Sequence, residues 1–195
     1  MPISDYMRGL RAKAGKQLIL IPAVTVVCRD EQGRILLARH RADNCWGLPG
    51  GGSDPDETPA NAAVRELWEE TGLSSDLTHI LGVYGGPAFR ITYPNGDQLS
   101  SVDTVFTGQV RSGSLVADQE EIDELRYVAP NEIAQLDLPP WMQAVLPDLL
   151  LRAQQTRFPP ATWQPPTNGV RKGGISDYIR HLRHSIGRDL LLMPS

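Results

Sequence analysis

The sequence has little of several things, and each shortage removes a class of protein. Its two cysteines, Cys28 and Cys45, form no C-x-x-C pair, so a disulfide framework or a cysteine zinc site is excluded. Acidic residues outnumber basic ones by 23 to 19, which leaves no overall positive field to attract nucleic acid. The longest apolar runs, such as 18–27, fall far short of the ~20 residues that span a bilayer, and no apolar signal segment opens the chain. We therefore predict a reduced, cytoplasmic protein with neither membrane nor nucleic-acid partners.

What is present is the composition of a globular domain with clear local signals. The 195 residues are 41% hydrophobic, which is enough for a core. Ser4 as N-cap and Gly15 as stop delimit a first helix. The apolar run 18–27, the turn 30–33 and the segment 35–37 then predict two strands that are joined tightly.

The second half of this domain carries strand and hairpin signals. The Asn95-Gly96 turn predicts a hairpin between segments 89–93 and 102–106. A last short strand is predicted at 125–128, and helices at 130–136 and 141–154, with Pro147 kinking or dividing the second. This mixture predicts a layered α/β or α+β domain that ends near residue 155.

Segment 158–174 marks a domain boundary, because it is rich in proline and glycine and has little packing capacity. The predicted organisation is an N-terminal helical arm (1–16), a folded domain (17–155), a linker (156–174) and a terminal segment (175–195).

The terminal segment repeats the start of the chain. Residues 175–195 align with 3–23 without gaps, and 11 of the 21 aligned positions are identical. A helix, a glycine and a strand recur in register, so we interpret the segment as a truncated second copy of the arm. The apolar run 190–193 would be an aggregation hazard if exposed. We expect it to pack on the domain or on a neighbouring chain, which would make a homodimer, or else to be a disordered tail.

A helix between Thr58 and Gly72 concentrates negative charge. Thr58 is the N-cap, Pro59 occupies the first helical position and Gly72 is the stop. At 100° per residue, three glutamates fall within an arc of about 100°: Glu66, Glu69 and Glu70. The opposite, core-facing side is expected to hold Ala60, Val64, Leu67, Trp68 and Thr71.

Three carboxylates spaced i, i+3 and i+4 repel one another, although Arg65 can offset part of this through Glu69. A solvated acidic face is one interpretation. A site for Mg²⁺, or for Mn²⁺, is the other, because both ions prefer oxygen ligands. The glycine run 50–52 before the helix favours the metal, since it allows close approach of a ligand. Such a loop beside carboxylates suits metal-bridged diphosphate chemistry.

The spacing of this segment resembles a complete Nudix box. The match covers 23 residues with nine defining positions, and the flanking segment 46–50 also resembles the family. The defining residues are Gly51, Glu57, Arg65-Glu66-Leu67, Glu69-Glu70 and Gly72-Leu73. The resemblance extends over roughly residues 17–138 and implies an α/β/α sandwich around a mixed β-sheet.

The resemblance also implies roles for individual residues. Glu69 and Glu70 would be the principal Mg²⁺ ligands, Glu66 a further ligand or the base that acts on water, and Gly50 the donor of a carbonyl ligand. Glu57 and Arg65 would pair to fix the loop against the helix, so that they are structural, like Gly51 and Gly72.

Two further sets of candidates come from outside the box. The acidic run 118–124 precedes the last strand, and Glu120 or Glu121 is a candidate for an extra ligand or base, with a solvated loop as the alternative. Arg39 closes the second strand near the glycine loop and could meet phosphate, while Arg90 and Tyr84 could flank a base or ribose. Solvation of the arginine and burial of the tyrosine are the alternatives.

The predicted function is a Mg²⁺-dependent pyrophosphohydrolase. Its small-molecule substrate would be a nucleoside diphosphate linked to another moiety X, such as ADP-ribose or a nucleotide sugar, cleaved to NMP and X-phosphate. Hydrolysis of oxidised or non-standard nucleoside triphosphates is one alternative. A nucleotide-sensing module without turnover is the other.

Overall fold

The computed structural model of the chain describes residues 4–151, 155–157, 162 and 177–185. Within these residues the chain forms five α-helices, eight strands and a 3₁₀ turn at Pro87–Phe89. In chain order the elements are α1 (Asp5–Ala14), β1 (Leu18–Cys28), β2 (Ile35–His40), β3 (Trp46–Gly47), β4 (Gly50–Gly52), α2 (Pro59–Thr71), β5 (Leu73–Tyr84), β6 (Arg90–Thr92), β7 (Gln98–Gly113), β8 (Ile122–Val128), α3 (Pro130–Ile133), α4 (Pro140–Leu151) and α5 (Asp177–Ser185).

Local caps set the helix ends as predicted. The Ser4 hydroxyl accepts a hydrogen bond from the Met7 N–H at 3.3 Å, and Gly15 ends α1 at a φ of 58°. The Thr58 hydroxyl accepts from the Asn61 N–H at 3.2 Å, and Gly72 ends α2 in the left-handed region at a φ of 72°. Both helices are therefore delimited by their own sequence.

The strands form two sheets. The larger sheet has the order β4-β1-β7-β5, and β6 adds to β7. β1 and β7 run parallel while the other pairs are antiparallel, so this sheet is mixed. The smaller sheet has the order β3-β2-β8. The predicted turn is present, because the Tyr93 N–H donates to the Asp97 carbonyl at 2.9 Å. The predicted strand partner is wrong, since β6 pairs with residues 98–100 of β7 and not with 102–106.

Two apolar clusters hold helices on opposite faces of the strands. One cluster packs Ala62, Ala63 and Leu67 of α2 against alternate residues of β1, such as Val24 and Val26. The other packs α4 on the opposite face, where its members include Val27, Val105, Val145 and Leu149. This arrangement confirms the predicted α/β/α sandwich around a mixed sheet.

Some predicted elements differ from the structure. The two strands predicted on either side of the turn 30–33 are present, although β1 belongs to the larger sheet and β2 to the smaller one. Only an isolated bridge between Arg29 and Ile35 joins them. Pro147 lies inside α4 without dividing it, and α3 ends at Ile133, three residues earlier than predicted.

The folded unit extends past residue 155, where the linker was predicted to begin. The Arg157 N–H donates to the Leu81 carbonyl at 2.7 Å, and the Arg157 carbonyl accepts from the Val83 N–H at 3.0 Å. The Thr156 hydroxyl donates to the Ile80 carbonyl. Two residues of the predicted linker are thus attached to β5.

The helix of the terminal repeat, α5, contacts β1, within the segment 3–23 that the repeat resembles. The Tyr178 hydroxyl accepts from the Leu20 N–H at 2.7 Å and donates to the Leu18 carbonyl at 3.2 Å. These groups lie on the side of β1 away from β7, beyond the three residues that pair with β4. The apolar run 190–193 lies outside the described residues. None of the helices in the described ranges is long and apolar enough to cross a membrane.

Candidate active site

α2 turns part of its carboxylate face inward, contrary to the expected division of the helix. Trp68 is 61% exposed and Ala60 is exposed, so the prediction that both face the core is wrong. The buried residues of α2 are Ala62, Ala63, Leu67, Glu70 and Thr71. Angular spacing groups side chains into arcs, but the packing of Ala62 and Leu67 decides which arc meets the sheet. Glu66 and Glu70 fall within that buried arc.

Glu70 is anchored to the glycine loop. It is 4% exposed, and its carboxylate accepts a hydrogen bond from the Gly50 N–H at 3.0 Å. Strand pairing of Gly50 with Thr25 fixes the position of this N–H. A Cβ at Gly50 would lie 2.2 Å from the Val24 carbonyl, which explains why only glycine fits.

Gly51 leaves the space that the Glu66 side chain fills. A Cβ at this position would lie 2.6 Å from the carboxyl carbon of Glu66. The glycine loop therefore lies against two carboxylates of the helix. The Gly50 N–H donates to Glu70, and Glu66 occupies the space that a side chain at Gly51 would fill.

Arg65 connects the helix to the loop. Its guanidinium donates to both Glu57 carboxylate oxygens, at 2.7 and 2.9 Å, and to the Gly52 carbonyl at 3.2 Å. It also donates to Glu66 at 2.8 Å and to Glu69 at 2.9 Å. The same hydrogen bonds lower the pKa of Glu57. Arg65 thus fixes the loop and compensates two of the three helix carboxylates.

The acidic loop brings one of its two candidate glutamates to this cluster. Asp118 shapes the loop, because its carboxylate accepts from the N–H groups of Glu120, Glu121 and Ile122 at 2.9 to 3.1 Å. Glu120 is exposed, whereas Glu121 is half-buried. Burial, and then the charge of Glu66, raises the pKa of Glu121 to about 7.

The helix carboxylates feel the same crowding. Burial raises the pKa of Glu70 well above its usual range, and the charges of Glu66, Glu121 and Asp118 add to the shift. Burial is also the main cause of the raised pKa of Glu66. Glu66 and Glu70 thus meet beside the glycine loop, and the charge of Glu121 adds to the repulsion that they feel.

The donor set fits a divalent cation by its chemistry. Carboxylate oxygens and a neighbouring backbone carbonyl are the ligands that hard divalent cations prefer, and a cation would relieve the repulsion among the acids. Within the described ranges, no group of three or more histidine, cysteine, aspartate or glutamate side chains is arranged so that it could hold a metal ion. Arg65 holds Glu66 and Glu69, so these side chains would have to exchange an arginine contact for the cation.

The predicted substrate residues lie in three different surroundings. Tyr84 is buried in the core, its ring stacks on Phe89, and its hydroxyl donates to Asp148 at 2.9 Å. Arg39 lies 3.4 Å from Glu124 and stands over the ring of Trp46. Arg90 is exposed on β6. The structure does not bring these three residues together.

Sequence reasoning missed one polar pair in the centre of the sheet. The Thr25 hydroxyl donates to the Asp103 carboxylate at 2.8 Å, and both residues are buried. Asp103 is the one charged residue in the predicted strand 102–106, where an acid is unexpected. This residue was the signal in the sequence that could have indicated the pair.

Comparison with known proteins agrees with this geometry. The NUDIX domain family model matches residues 20–149. A "MutT-like protein" of Streptomyces ambofaciens is 38% identical over 130 residues, which is 67% of this chain and 77% of that protein. A protein of Bacillus subtilis (strain 168), named as a candidate 8-oxo-dGTP diphosphatase, is 33% identical over 114 residues, which is 58% of this chain and 70% of the relative. The crystal structure of a MutT protein from Methanosarcina mazei Go1 superposes with a TM-score of 0.59 at 25% identity, and it covers 71% of this chain and 99% of the other.

The chain belongs to the Nudix family, since the family model spans two thirds of its length. It is a hydrolase of phosphoanhydride bonds, and the family generally works with divalent metals.

Proposed function

We propose that this protein is a Mg²⁺-dependent pyrophosphohydrolase of nucleoside diphosphate derivatives, which it cleaves to NMP and X-phosphate. The observation that supports this most directly is the placement of Glu66 and Glu70 beside Gly50 and Gly51, where the charge of Glu121 also acts on them. An anionic substrate is repelled by these acids, so it binds only when cations bridge the two.

The proposed ligands of the cation are Glu66, Glu69 and Glu70, together with the Gly50 carbonyl. When bound, the metal supplies activation of water and neutralisation of charge on the phosphoryl oxygens. Arg65 and Glu57 hold the loop in place, and the Gly50 N–H keeps one Glu70 oxygen oriented.

In the proposed reaction, water adds to one phosphorus and the P–O bond of the bridge breaks. The oxygen of the bridge leaves with the other phosphoryl group, and the proton released by water passes to a carboxylate. Of the two loop candidates, Glu121 is the one in electrostatic contact with Glu66 and Glu70, so we assign the extra ligand or base role to Glu121. Glu66 remains the alternative base.

Hydrolysis of oxidised or non-standard nucleoside triphosphates is a second candidate. The Bacillus subtilis relative is named for that substrate class and is 33% identical. Products separate the two activities. A triphosphate substrate releases inorganic pyrophosphate, whereas a diphosphate derivative gives NMP and X-phosphate.

The test is a panel of ADP-ribose, UDP-glucose, dGTP and 8-oxo-dGTP, with and without Mg²⁺. We expect Mg²⁺-dependent turnover of at least one substrate, and a loss of at least about 100-fold in kcat/KM for Glu70→Gln. The amide oxygen of glutamine can still accept from the Gly50 N–H, so the thermal midpoint should not fall. Glu132→Gln, an exposed acid on α3, is the matched control and should keep full activity.

Equal inertness of wild type and Glu70→Gln on the whole panel would favour the sensing module instead. Full activity of Glu70→Gln would reject the assigned ligand set.

A further inference from the structure

One oxygen of a buried carboxylate has no partner in the described part of the molecule. Asp103 on β7 is 5% exposed. Its Oδ2 accepts the Thr25 hydroxyl at 2.8 Å, while Oδ1 is enclosed and forms no hydrogen bond. Buried acceptors are almost always paired, and an unpaired one costs about 1–3 kcal/mol. This oxygen therefore needs an explanation.

Strand register places this pair beside Gly50 of the proposed site, on the face of the sheet opposite to α2. Thr25 lies opposite Gly50 of β4, and a Cβ on Gly50 would come within 3.0 Å of the Thr25 hydroxyl. Asp103 lies opposite Ala23 of β1 and Tyr84 of β5. A row of polar groups thus crosses the sheet from the glycine loop, one strand at a time.

The face of the sheet that carries this row is sealed on one side and open on the other. Side chains two residues apart on a strand share a face. Val27 and Val105 continue the row into the core and are almost completely buried. In the other direction Ala23 and Ser101 are only half-buried. Asp103 therefore marks the border between the core and a half-exposed floor of small residues.

This floor adjoins the glycine loop. Ile21, two residues before Ala23, is also half-buried, and its Cδ1 lies 3.5 Å from the position of a Cβ on Gly52. A nucleotide whose phosphates lie beside Gly50 and Gly51 would extend its nucleoside over this floor. The unsatisfied acceptor at the border of this floor belongs to Asp103.

The neighbouring polar side chains leave this acceptor unmatched. The Tyr84 hydroxyl donates to Asp148, and the Thr25 hydroxyl already donates to the other Asp103 oxygen. An asparagine or a valine at position 103 would bury with less cost than a carboxylate. A donor that arrives with the substrate explains why an acid is present.

We propose that Asp103, oriented by Thr25, accepts a hydrogen bond from an N–H or O–H of the substrate's nucleoside and so selects substrates that carry this donor. The inference rests on the proposed hydrolysis for the placement of the phosphates. A substrate without the donor leaves a buried acceptor unpaired, and enzymes reject such analogues strongly.

Matched nucleotide pairs that differ by one donor provide the test. GTP against ITP removes the exocyclic amino group, ATP against purine riboside triphosphate removes the other amino group, and GTP against dGTP removes the 2′-hydroxyl. Values of kcat/KM are measured for wild type and Asp103→Asn. Ser75→Ala is the control. The Ser75 hydroxyl is also buried without a hydrogen-bond partner, but Ser75 lies opposite Val110, seven residues further along β7 than Asp103.

We expect wild type to prefer the donor-bearing member of at least one pair by 10-fold or more. Asp103→Asn should reduce that preference to below 3-fold, while Ser75→Ala should keep it. The pair that responds identifies the donor as a base N–H or a ribose O–H. The second variant, Thr25→Val, keeps the acid but removes its orienting hydrogen bond, and should weaken the same preference.

The inference is overturned if wild type shows no preference in any pair, or if folded Asp103→Asn keeps the wild-type preference. If wild type hydrolyses none of these nucleotides, the same pairs are compared by equilibrium binding with Ca²⁺. A binding preference that Asp103→Asn abolishes supports the inference even without turnover of triphosphates. Binding of none of them overturns the inference, while turnover of ADP-ribose and UDP-glucose tests the proposed hydrolysis separately.

Discussion

Gly51 and the Glu66 carboxylate share one small volume beside the glycine loop. A Cβ at position 51 would meet the far end of a flexible side chain, so Glu66 can move away at little cost in stability. We predict that Gly51→Ala lowers kcat/KM at least about 10-fold while the thermal midpoint changes little, as measured by turnover and by thermal unfolding.

Gly9 supplies the control for this substitution. It lies inside α1, and an added Cβ would meet nothing within 4 Å. Gly9→Ala should stabilise the protein by about 0.5–1 kcal/mol through helix propensity, with unchanged activity. A Gly51→Ala enzyme with wild-type turnover would show that the position of Glu66 is unimportant.

Asp103 should make stability depend on pH. Burial raises the pKa of this acid from 3.8 to about 6, with a smaller opposing effect of the Thr25 hydroxyl. Below pH 4 the acid is neutral in both the folded and unfolded states. Between about pH 4 and 6 the unfolded state releases this proton while the folded state keeps it, so the free energy of unfolding falls, by up to about 3 kcal/mol in total, and it levels off above pH 6.

Asp103→Asn has no such ionisation. We predict that its advantage in free energy of unfolding over wild type grows between pH 4.5 and 7.5, as measured by urea unfolding at both values. The neighbouring Tyr84 hydroxyl stays neutral throughout this range, because burial raises its pKa above the ordinary value of a tyrosine. A difference between the two proteins that is the same at both pH values would contradict the prediction.

At the residue scale, the sequence predicts which residues form the site, but it does not predict their burial or their hydrogen bonds. The spacing of Glu66, Glu69 and Glu70 follows from helical geometry, and the structure brings Glu66 and Glu70 to the loop. The sequence does not reveal that Glu70 is buried, nor that the Gly50 N–H donates a hydrogen bond to Glu70. Those facts depend on the pairing of β4 with β1, which is a contact between distant segments.

Among the elements, the segment from β4 to α2 depends on one side chain. The Arg65 guanidinium is a fork that matches both Glu57 oxygens, and a lysine cannot reproduce this geometry. We predict that Arg65→Lys lowers the free energy of unfolding by about 1–2 kcal/mol and lowers kcat/KM more than the stability loss explains. Urea unfolding and steady-state kinetics measure the two effects.

Arg34→Lys is the matched control for this prediction. Arg34 pairs with Asp30 at 2.6 Å in an exposed turn, where ion pairs contribute little. Its stability should change by less than about 0.5 kcal/mol, with full activity. Equal effects of both substitutions would reject a special role for Arg65.

Elements with local punctuation were predictable, whereas strand partners were not. The caps at Ser4, Thr58 and Gly72 act within a few residues, so sequence alone delimits α1 and α2. The sequence predicts β1 and β2 as two strands joined by a turn, but not that they belong to different sheets. Their separation into two sheets is decided by β7 and β8, which lie 70 or more residues later in the chain.

For the whole molecule, the terminal repeat is the feature that the family does not explain. Tyr178 occupies the N–H and carbonyl groups of β1 that no strand covers in the described part of the chain. Open strand edges invite pairing with other chains. We predict that deletion of residues 170–195 shifts the protein towards larger species or lowers its solubility, as measured by light scattering.

Two tyrosine variants refine this prediction. Tyr178→Phe removes only the hydroxyl at the strand edge and should reproduce part of the shift. Tyr6→Phe changes the equivalent residue of the first copy, whose side chain is 48% exposed, and should have no effect. Unchanged solubility and elution after the deletion would count against a docked tail.

β4 is a short strand, like β6, and it carries the amide that orients Glu70. It contains three residues, lies at the edge and pairs with β1 at three positions. Short marginal segments detach transiently while the remainder stays intact. Every such detachment withdraws the Gly50 amide from Glu70. Activity should therefore be lost at a lower denaturant concentration than the one that unfolds the whole domain. Mild denaturant would inactivate the enzyme reversibly while its secondary-structure content is still that of the native protein.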